Sequence, residues 1–116
     1  MTIATPKRLR GVKKAAHARS PKQEKELAAR LGGKRVKGSG SGFDKGDVRL
    51  KGIALIEAKC TEKASFSVTQ AMLDKLENAA LGQGELPVLQ IEFLNNKRRV
   101  CVVPEWVLDM LPRGKA

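Results

Sequence analysis

The sequence predicts an α/β fold in which helices flank a mixed β-sheet. The spacing of apolar residues changes along the chain between helical and strand periodicity, in the order helix, three extended segments, helix, two strands and helix. The chain has 116 residues, which is enough for one small domain with one core. Hydrophobic residues make up 41% of the sequence but aromatic residues only 3%, so this core must be mainly aliphatic.

The first helix is predicted to begin at Ser20 and to end at Gly32-Gly33. Ser20 is a favourable N-cap, Pro21 is favoured at the first helical position, and Glu24 places an acid in the first turn. The apolar stripe of this helix consists of Leu27, Ala28 and Leu31. Glu24 lies one turn before the stripe and at its edge, so its side chain is expected to face inward at the mouth of a site.

Three extended segments follow the first helix. Residues 34–37 form a short strand or extended link, and residues 47–50 and 54–60 are predicted to be the antiparallel strands of a hairpin. Between them lies a Gly/Ser-rich loop over residues 38–42. This loop has little side-chain bulk, so a phosphate backbone could approach its N–H groups; an ordinary mobile connector is the alternative.

The second half of the chain predicts a helix, two strands and a short final helix. Residues 67–77 have helical spacing, and the Gly82-Gln83-Gly84 segment closes this helix. Its apolar face consists of Val68, Met72, Leu73 and Leu76. The remaining elements are strands over residues 86–94 and 98–103, with a turn between them, and a helix over residues 105–111 that Pro104 opens.

The chain is strongly basic, with a formal net charge of +11 and a pI of about 10.1. This charge indicates a polyanionic partner. Nucleic acid fits better than a membrane surface, because no apolar run approaches the roughly 18 residues of a transmembrane span. The first 23 residues contain seven basic residues and no acid, and no apolar segment typical of a secretory signal follows them. We expect a basic arm over residues 1–19, which touches phosphates, and a folded domain over residues 20–116.

The remaining reactive residue types exclude several mechanisms. Cys60 and Cys101 lack the spacing of a zinc site, and we expect both to be reduced core residues in a cytoplasmic protein. His17 is the only histidine and has no acid near it in the sequence, so histidine-based general acid–base catalysis and serine nucleophiles have no support.

The predicted hairpin carries an unusual set of charges. Glu57 and Lys59 lie two residues apart on one strand and therefore share a face. A three-residue turn, Lys51-Gly52-Ile53, would place Asp47 directly opposite Glu57 on that face. A two-residue turn would place Asp47 opposite Ile56 and turn Glu57 to the reverse face. Glycine usually comes last in a three-residue hairpin loop but lies in the middle here, so both alternatives stay open.

The three-residue turn would create a candidate metal site. The Cβ atoms of Asp47 and Glu57 would lie about 5 Å apart, close enough to grip one ion. The two carboxylates, the backbone carbonyl of Ala58 and waters are the oxygen ligands that Mg²⁺ prefers, and we expect Mn²⁺ to substitute. Lys59 could hold a metal-activated water or stabilise charge on a phosphodiester, and Glu24 could add a ligand or orient that water. The structural alternative is that these charges are solvated at strand ends.

These residues resemble the motif of the PD-(D/E)xK nuclease superfamily, with Glu24, Asp47 and Glu57-Ala58-Lys59 in order. The details are similar to its archaeal-type Holliday-junction resolvase branch. The segments that carry the likeness are residues 23–27, the loop at 38–41, the Ile-Glu-Ala-Lys strand at 56–59, and residues 86–89 and 93–95. The resemblance covers about residues 20–111. Gly46 stands where the family has a proline, and Asp44 is a second acid that competes with Asp47 in the same loop.

The resemblance implies a restriction-endonuclease-like fold and a Mg²⁺-dependent endonuclease. As a homodimer it would cut opposed strands of a four-way DNA junction. Asp47 and Glu57 would bind metal, and Glu24 and Lys59 would complete the catalytic set. Trp106 and Leu108 are candidates for the dimer interface, with packing into the core as the alternative. The expected DNA contacts are Ser39, Gly40, Ser41, Lys45, Arg49 and Gln70, together with Lys7, Arg8, Arg10, Lys13 and Lys14 of the arm.

Two other functions fit the same residues. A general or nicking endonuclease of this fold would cut DNA without a junction. A non-catalytic nucleic-acid-binding protein would bind with strong salt dependence, would not respond to magnesium and would form no product.

Overall fold

The computed structural model describes residues 21–36 and 47–115. The elements in chain order are α1 (residues 21–31), β1 (Lys34–Val36), β2 (Asp47–Leu50), β3 (Ala54–Thr61), α2 (Gln70–Leu81), β4 (Leu86–Phe93), β5 (Arg98–Val102) and a 3₁₀ helix (Glu105–Met110). The basic arm, the Ser20 cap and the loop that contains Asp44 lie outside the described residues.

The five strands form one mixed sheet in the order β1-β2-β3-β4-β5. All neighbouring strands are antiparallel except β3 and β4, which are parallel. A parallel pair requires a crossover connection, and α2 supplies it. The predicted α/β class, with a mixed sheet flanked by helices, is confirmed.

The central strand β3 is buried on both faces. Its residues Ala54, Ile56 and Ala58 pack with Val48 of β2 and Leu27 of α1. The alternate residue Leu55 packs on the other face, in a cluster whose remaining buried members are Leu76 and Ala80 of α2 and Leu89 and Ile91 of β4. Because successive side chains of a strand point to opposite faces, this double burial explains the continuous apolar run at the start of β3.

The turn between β2 and β3 has three residues. Leu50 is the register partner of Ala54, and the N–H of Ile53 donates to the Leu50 carbonyl at 2.8 Å. Gly52 has a φ of +75°, as the third position of a type II turn requires. The middle position of the glycine therefore has a physical reason, and the three-residue alternative is the one that the structure adopts.

Helix α2 begins later than the sequence predicted. The prediction placed its start at Ser67, but Thr69 is the N-cap, and its side chain accepts a hydrogen bond from the Met72 N–H at 3.2 Å. Val68 is therefore outside the helix and 38% exposed, so its assignment to the apolar face was wrong. The helix also continues past residue 77 to Leu81, and Gly82 ends it as predicted.

The C-terminal segment is helical but packs little. Residues Glu105–Met110 form a 3₁₀ helix, and Trp106 and Leu108 are 43% and 62% exposed. The core-packing alternative for these two side chains does not hold in the single chain. None of the helices in the described part of the chain has the length and apolar character needed to cross a bilayer.

Candidate functional site

The hairpin register brings Asp47, Glu57 and Lys59 to one face of the sheet. Asp47 lies directly opposite Glu57 across β2 and β3, and Lys59 follows two residues later on the same strand. The Lys59 Nζ atom is 3.4 Å from Glu57 Oε1. The Glu57 side chain is 13% exposed and that of Lys59 25%, so the group is half-buried but open to solvent. Two carboxylates and an ammonium therefore share one face of the sheet where β2 begins.

The donors of this group fit a hard divalent cation. Two carboxylates, with the peptide carbonyl of Ala58 between Glu57 and Lys59, are oxygen ligands. Within residues 21–36 and 47–115 no three acids, cysteines or histidines are grouped so that they could share one metal ion. Mg²⁺ is commonly held by only one or two carboxylates and completes its shell with waters and phosphate oxygens. The pair is therefore compatible with magnesium provided that other oxygens complete the shell.

Glu24 is buried, but the structure does not group it with the Asp47–Glu57 pair. It is 2% exposed, and its Oε2 atom lies 3.8 Å from the Arg35 guanidinium. Arg35 is the register partner of Val48, which packs on the α1 face of the sheet. Asp47 is adjacent to Val48 and so points to the opposite face. The inward orientation of Glu24 agrees with the sequence, whereas its role at the site stays a prediction.

The Glu24 carboxyl has an altered acidity. Burial raises its pKa above the ordinary value of 4.5, and the positive charge of Arg35 partly opposes this shift. Its Oε1 atom is buried and accepts no hydrogen bond from the described residues. The desolvation of the charged form therefore exceeds the attraction to Arg35.

Three buried glutamates are each paired with an arginine of the sheet. The pairs are Glu24–Arg35 at 3.8 Å, Glu85–Arg49 at 2.8 Å and Glu92–Arg99 at 2.9 Å. Such pairing is the usual condition for burying a carboxylate. It also affects one predicted DNA contact, because Arg49 donates its Nε–H to Glu85 and any contact with phosphate would compete with this ion pair.

Glu85 is a residue whose importance the sequence did not reveal. Its two carboxylate oxygens accept from Arg49 Nε at 2.8 Å and from the Gly52 N–H at 3.1 Å. It thereby ties β2 and the β2–β3 turn to the start of β4, and so supports the register that places Asp47 opposite Glu57. The sequence did offer one signal, because Glu85 lies between the glycine that follows α2 and the apolar strand β4. An acid in that position is expected to be buried and therefore to need a partner.

Gln23 and Gln90 are also buried polar residues that the sequence did not mark as important. Gln23 Nε2 donates to the Lys59 carbonyl at 3.1 Å and to Gln90 Oε1 at 2.9 Å. The spacing of Gln23 and Leu27, four residues apart on α1, was the signal that Gln23 faces inward. Its contacts join α1 to the strand that carries Lys59.

The other predicted DNA contacts are only partly described. Gln70 is the first residue of α2 and is exposed, and its contact with DNA stays a prediction. The predicted contacts that lie outside the described residues are Ser39, Gly40, Ser41, Lys45, Lys7, Arg8, Arg10, Lys13 and Lys14.

Comparison of the chain with protein-family models, curated proteins and solved structures gave no match. The fold defines the class as an α/β protein with a five-stranded mixed sheet. A function for this chain has to be inferred from the geometry and charge of its own residues.

Proposed function

We propose that this chain is a metal-dependent endonuclease that cuts branched DNA. The observation that carries the proposal is the β2–β3 register, which sets Asp47 opposite Glu57 with Lys59 on the same face. A turn shorter by one residue would have separated the two carboxylates onto opposite faces. Solvated charges at strand ends need no such alignment, and no ion pair of 3.4 Å between Glu57 and Lys59.

The proposed mechanism assigns a role to each group. Asp47, Glu57 and the Ala58 carbonyl would hold Mg²⁺ or Mn²⁺. A bound ion of this kind supplies positive charge beside a phosphodiester and lowers the pKa of a coordinated water. Glu57 keeps the Lys59 ammonium directed into the site, where it can donate hydrogen bonds to the attacking water or to a phosphate oxygen that gains charge. Glu24 has less structural support than these residues, because its carboxylate approaches the sheet from the α1 face.

The distribution of charge supports a DNA substrate. Residues 1–20 and 37–46 contain eight of the 23 basic residues and one of the 12 acids, so they carry +7 of the net charge of +11. Basic segments of this kind give affinity for phosphates without reading bases. The chain has only one tryptophan, three phenylalanines and no tyrosine for stacking on bases. We therefore propose that the arm and the Gly/Ser loop grip the backbone of a four-way junction recognised by its shape.

An exposed apolar segment supports a homodimer. Its members Trp106, Leu108, Met110 and Leu111 are between 43% and 67% exposed. Several large apolar side chains exposed within one short segment of a small domain are a common feature of interaction sites. A second copy bound here would supply the second active site that paired cuts in opposed strands require. We propose a cytoplasmic location for this dimer, where the two free cysteines would stay reduced. Their predicted place in the core was wrong, because Cys60 is half-buried and Cys101 is exposed.

The test is cleavage of a synthetic four-way junction beside a linear duplex of the same sequence, with magnesium or with EDTA. The variants are Glu57→Gln and Asp47→Asn. Asp74→Asn is the matched control, because Asp74 is exposed on α2 and the change also removes one negative charge. We expect magnesium-dependent paired nicks in the junction, lost in both site variants and retained in the control.

Other outcomes would select other functions. Equal cutting of the linear duplex would keep the nuclease and exclude junction selectivity. Tight, salt-dependent binding with no product under any divalent ion would identify a nucleic-acid-binding protein that is not an enzyme. The internal pairing of Glu24, Glu85 and Glu92 with arginines is the observation that favours this second candidate, because it shows that acids in this chain can be structural.

A further inference from the structure

Gln23 connects helix α1 to the backbone of Lys59. Its Nε2 atom donates to the Lys59 carbonyl at 3.1 Å and to Gln90 Oε1 at 2.9 Å. Gln23 is 1% exposed and Gln90 is 3% exposed, so bulk water does not compete for these bonds. Neither glutamine belongs to the catalytic set of the proposed function.

The Lys59 carbonyl determines how both amides are oriented. A carbonyl oxygen only accepts, so the Gln23 atom that faces it must be the nitrogen. The same nitrogen faces Gln90, so the Gln90 atom at this contact must be the oxygen. Turning over the Gln23 amide would oppose two acceptors, and turning over the Gln90 amide would oppose two donors, in a buried site. The contact therefore has one polarity, which neither an apolar side chain nor a carboxylate at position 23 can reproduce.

Packing alone does not explain an amide at this position. The arrangement leaves Gln23 Oε1 buried with no hydrogen bond from the described residues, which is unfavourable. An unbranched apolar side chain of similar length would fill the same space without leaving that atom unsatisfied. The feature that requires an amide is its donation to Lys59 and Gln90.

We propose that Gln23 is a positioning residue, which fixes the peptide group from which Lys59 extends into the candidate site. In the described part of the chain, the pairing of β2 with β3 ends at Asp47 and Glu57. Lys59 lies two residues beyond that point, where β4 pairs with β3 along its other edge. Gln23 adds a contact from α1 there and keeps the Lys59 backbone, and with it the 3.4 Å contact to Glu57, in place. The catalytic part of this inference rests on the proposed function.

The test compares Gln23→Met and Gln23→Glu with the control Gln83→Met. Methionine keeps the length of glutamine without its donors. In Gln23→Glu, at a pH where the new carboxyl is ionised, the carboxylate can only accept, so the Gln90 amide can turn to donate to it but the Lys59 contact is lost. Gln83 is exposed and follows α2. The readouts are the ¹³C shift of the Lys59 carbonyl, the affinity for the junction in calcium, and the single-turnover cleavage rate in magnesium.

In both Gln23 variants we expect the ¹³C chemical shift of the Lys59 carbonyl to change. We also expect the cleavage rate to fall by about 10- to 100-fold, the usual effect of losing a group that orients a site. Junction affinity should stay within about threefold, because Gln23 is buried and does not contact DNA. A variant that merely unfolds would lose affinity and rate together, and Gln23→Glu provides a second case if Gln23→Met does not fold.

Two results would overturn the inference in distinguishable ways. If the wild type cuts but the Gln23 variants cut at the same rate, the hydrogen bond is only structural and the proposed function stands. If the wild type cuts no DNA with any divalent ion, the proposed function fails, and the role of Gln23 fails with it.

Discussion

Replacing Glu85 with alanine removes the acceptor of two contacts that hold the β2–β3 turn against the start of β4. The carboxylate accepts from Arg49 Nε at 2.8 Å and from the Gly52 N–H at 3.1 Å. Glu85 is buried, so its carboxylate is shielded from solvent in the folded chain. The change should therefore lower the free energy of unfolding and loosen the register on which the candidate site depends.

The magnitude follows from the exposure of the partners. Removing one member of a buried ion pair typically costs about 3–5 kcal/mol. The Arg49 side chain is 31% exposed, however, so its guanidinium can be partly rehydrated. Gly52 is exposed, and water can replace the carboxylate at its N–H. We expect Glu85→Ala to lower the free energy of unfolding by about 2–3 kcal/mol.

Urea unfolding followed by circular dichroism measures this change, with Asp74→Ala as an exposed acidic control that should stay within about 0.5 kcal/mol of the wild type. A double-mutant cycle with Arg49→Met measures the interaction free energy of the ion pair. Arg49→Met should lower the free energy of unfolding only slightly when Glu85 has already been replaced. If Glu85→Ala is no more destabilising than Asp74→Ala, the two contacts do not hold the turn and the explanation for the register is refuted.

Three further predictions concern other described features. Burial raises the pKa of Glu24, so its carboxyl favours folding most at a pH below its ordinary pKa of 4.5, and this contribution is lost as the pH rises through the higher pKa of the folded state. Urea unfolding should therefore show Glu24→Gln gaining stability relative to the wild type from pH 4 to pH 7. A stability difference that stays constant with pH would contradict the raised pKa. Gly52→Ala should lower the free energy of unfolding by about 1 kcal/mol, because Gly52 has a positive φ that alanine adopts only with strain. The control Gly114→Ala should not change stability, because Gly114 has open space around it and no positive φ. Equal changes in melting temperature for the two variants would contradict this explanation. Leu108→Glu should convert the proposed homodimer to a monomer, as measured by light scattering, because Leu108 is exposed in the apolar C-terminal segment. A wild type that is monomeric would exclude a dimer interface at this segment.

The sequence predicted most of the fold because its signals are local. Apolar periodicity defined α1, the hairpin and β4. The choice between a three-residue and a two-residue turn after Leu50 left two alternatives for the site, with Asp47 and Glu57 on the same face or on opposite faces. The sequence could not choose between them, since the type II geometry depends on how Gly52 is used and on its bond to Glu85. The start of α2 was missed because the helical spacing of apolar residues was extended back to Val68, and only the structure shows that Thr69 caps the helix.

The parts that could not be predicted depend on partners far apart in the chain. Arg49 and Glu85 are 36 residues apart, as are Gln23 and Lys59, and Gln23 and Gln90 are 67 apart. No periodicity says which buried polar group meets which. Glu24 illustrates the same limit, because its spacing predicted an inward side chain but not that its ion pair would form with Arg35 on the α1 face of the sheet.

The turn between β2 and β3 also constrains how this chain can vary in length. A strand alternates its side chains with a period of two residues, so a slip of β2 by one residue along β3 would carry Asp47 to the other face. A change in the length of the turn is therefore tolerated only where Leu50 still pairs with Ala54, because a one-residue slip would separate Asp47 from Glu57 and bring Asp47 into the space that Val48 fills. The chemistry proposed for this protein is thus sensitive to a turn that contributes no side chain to it.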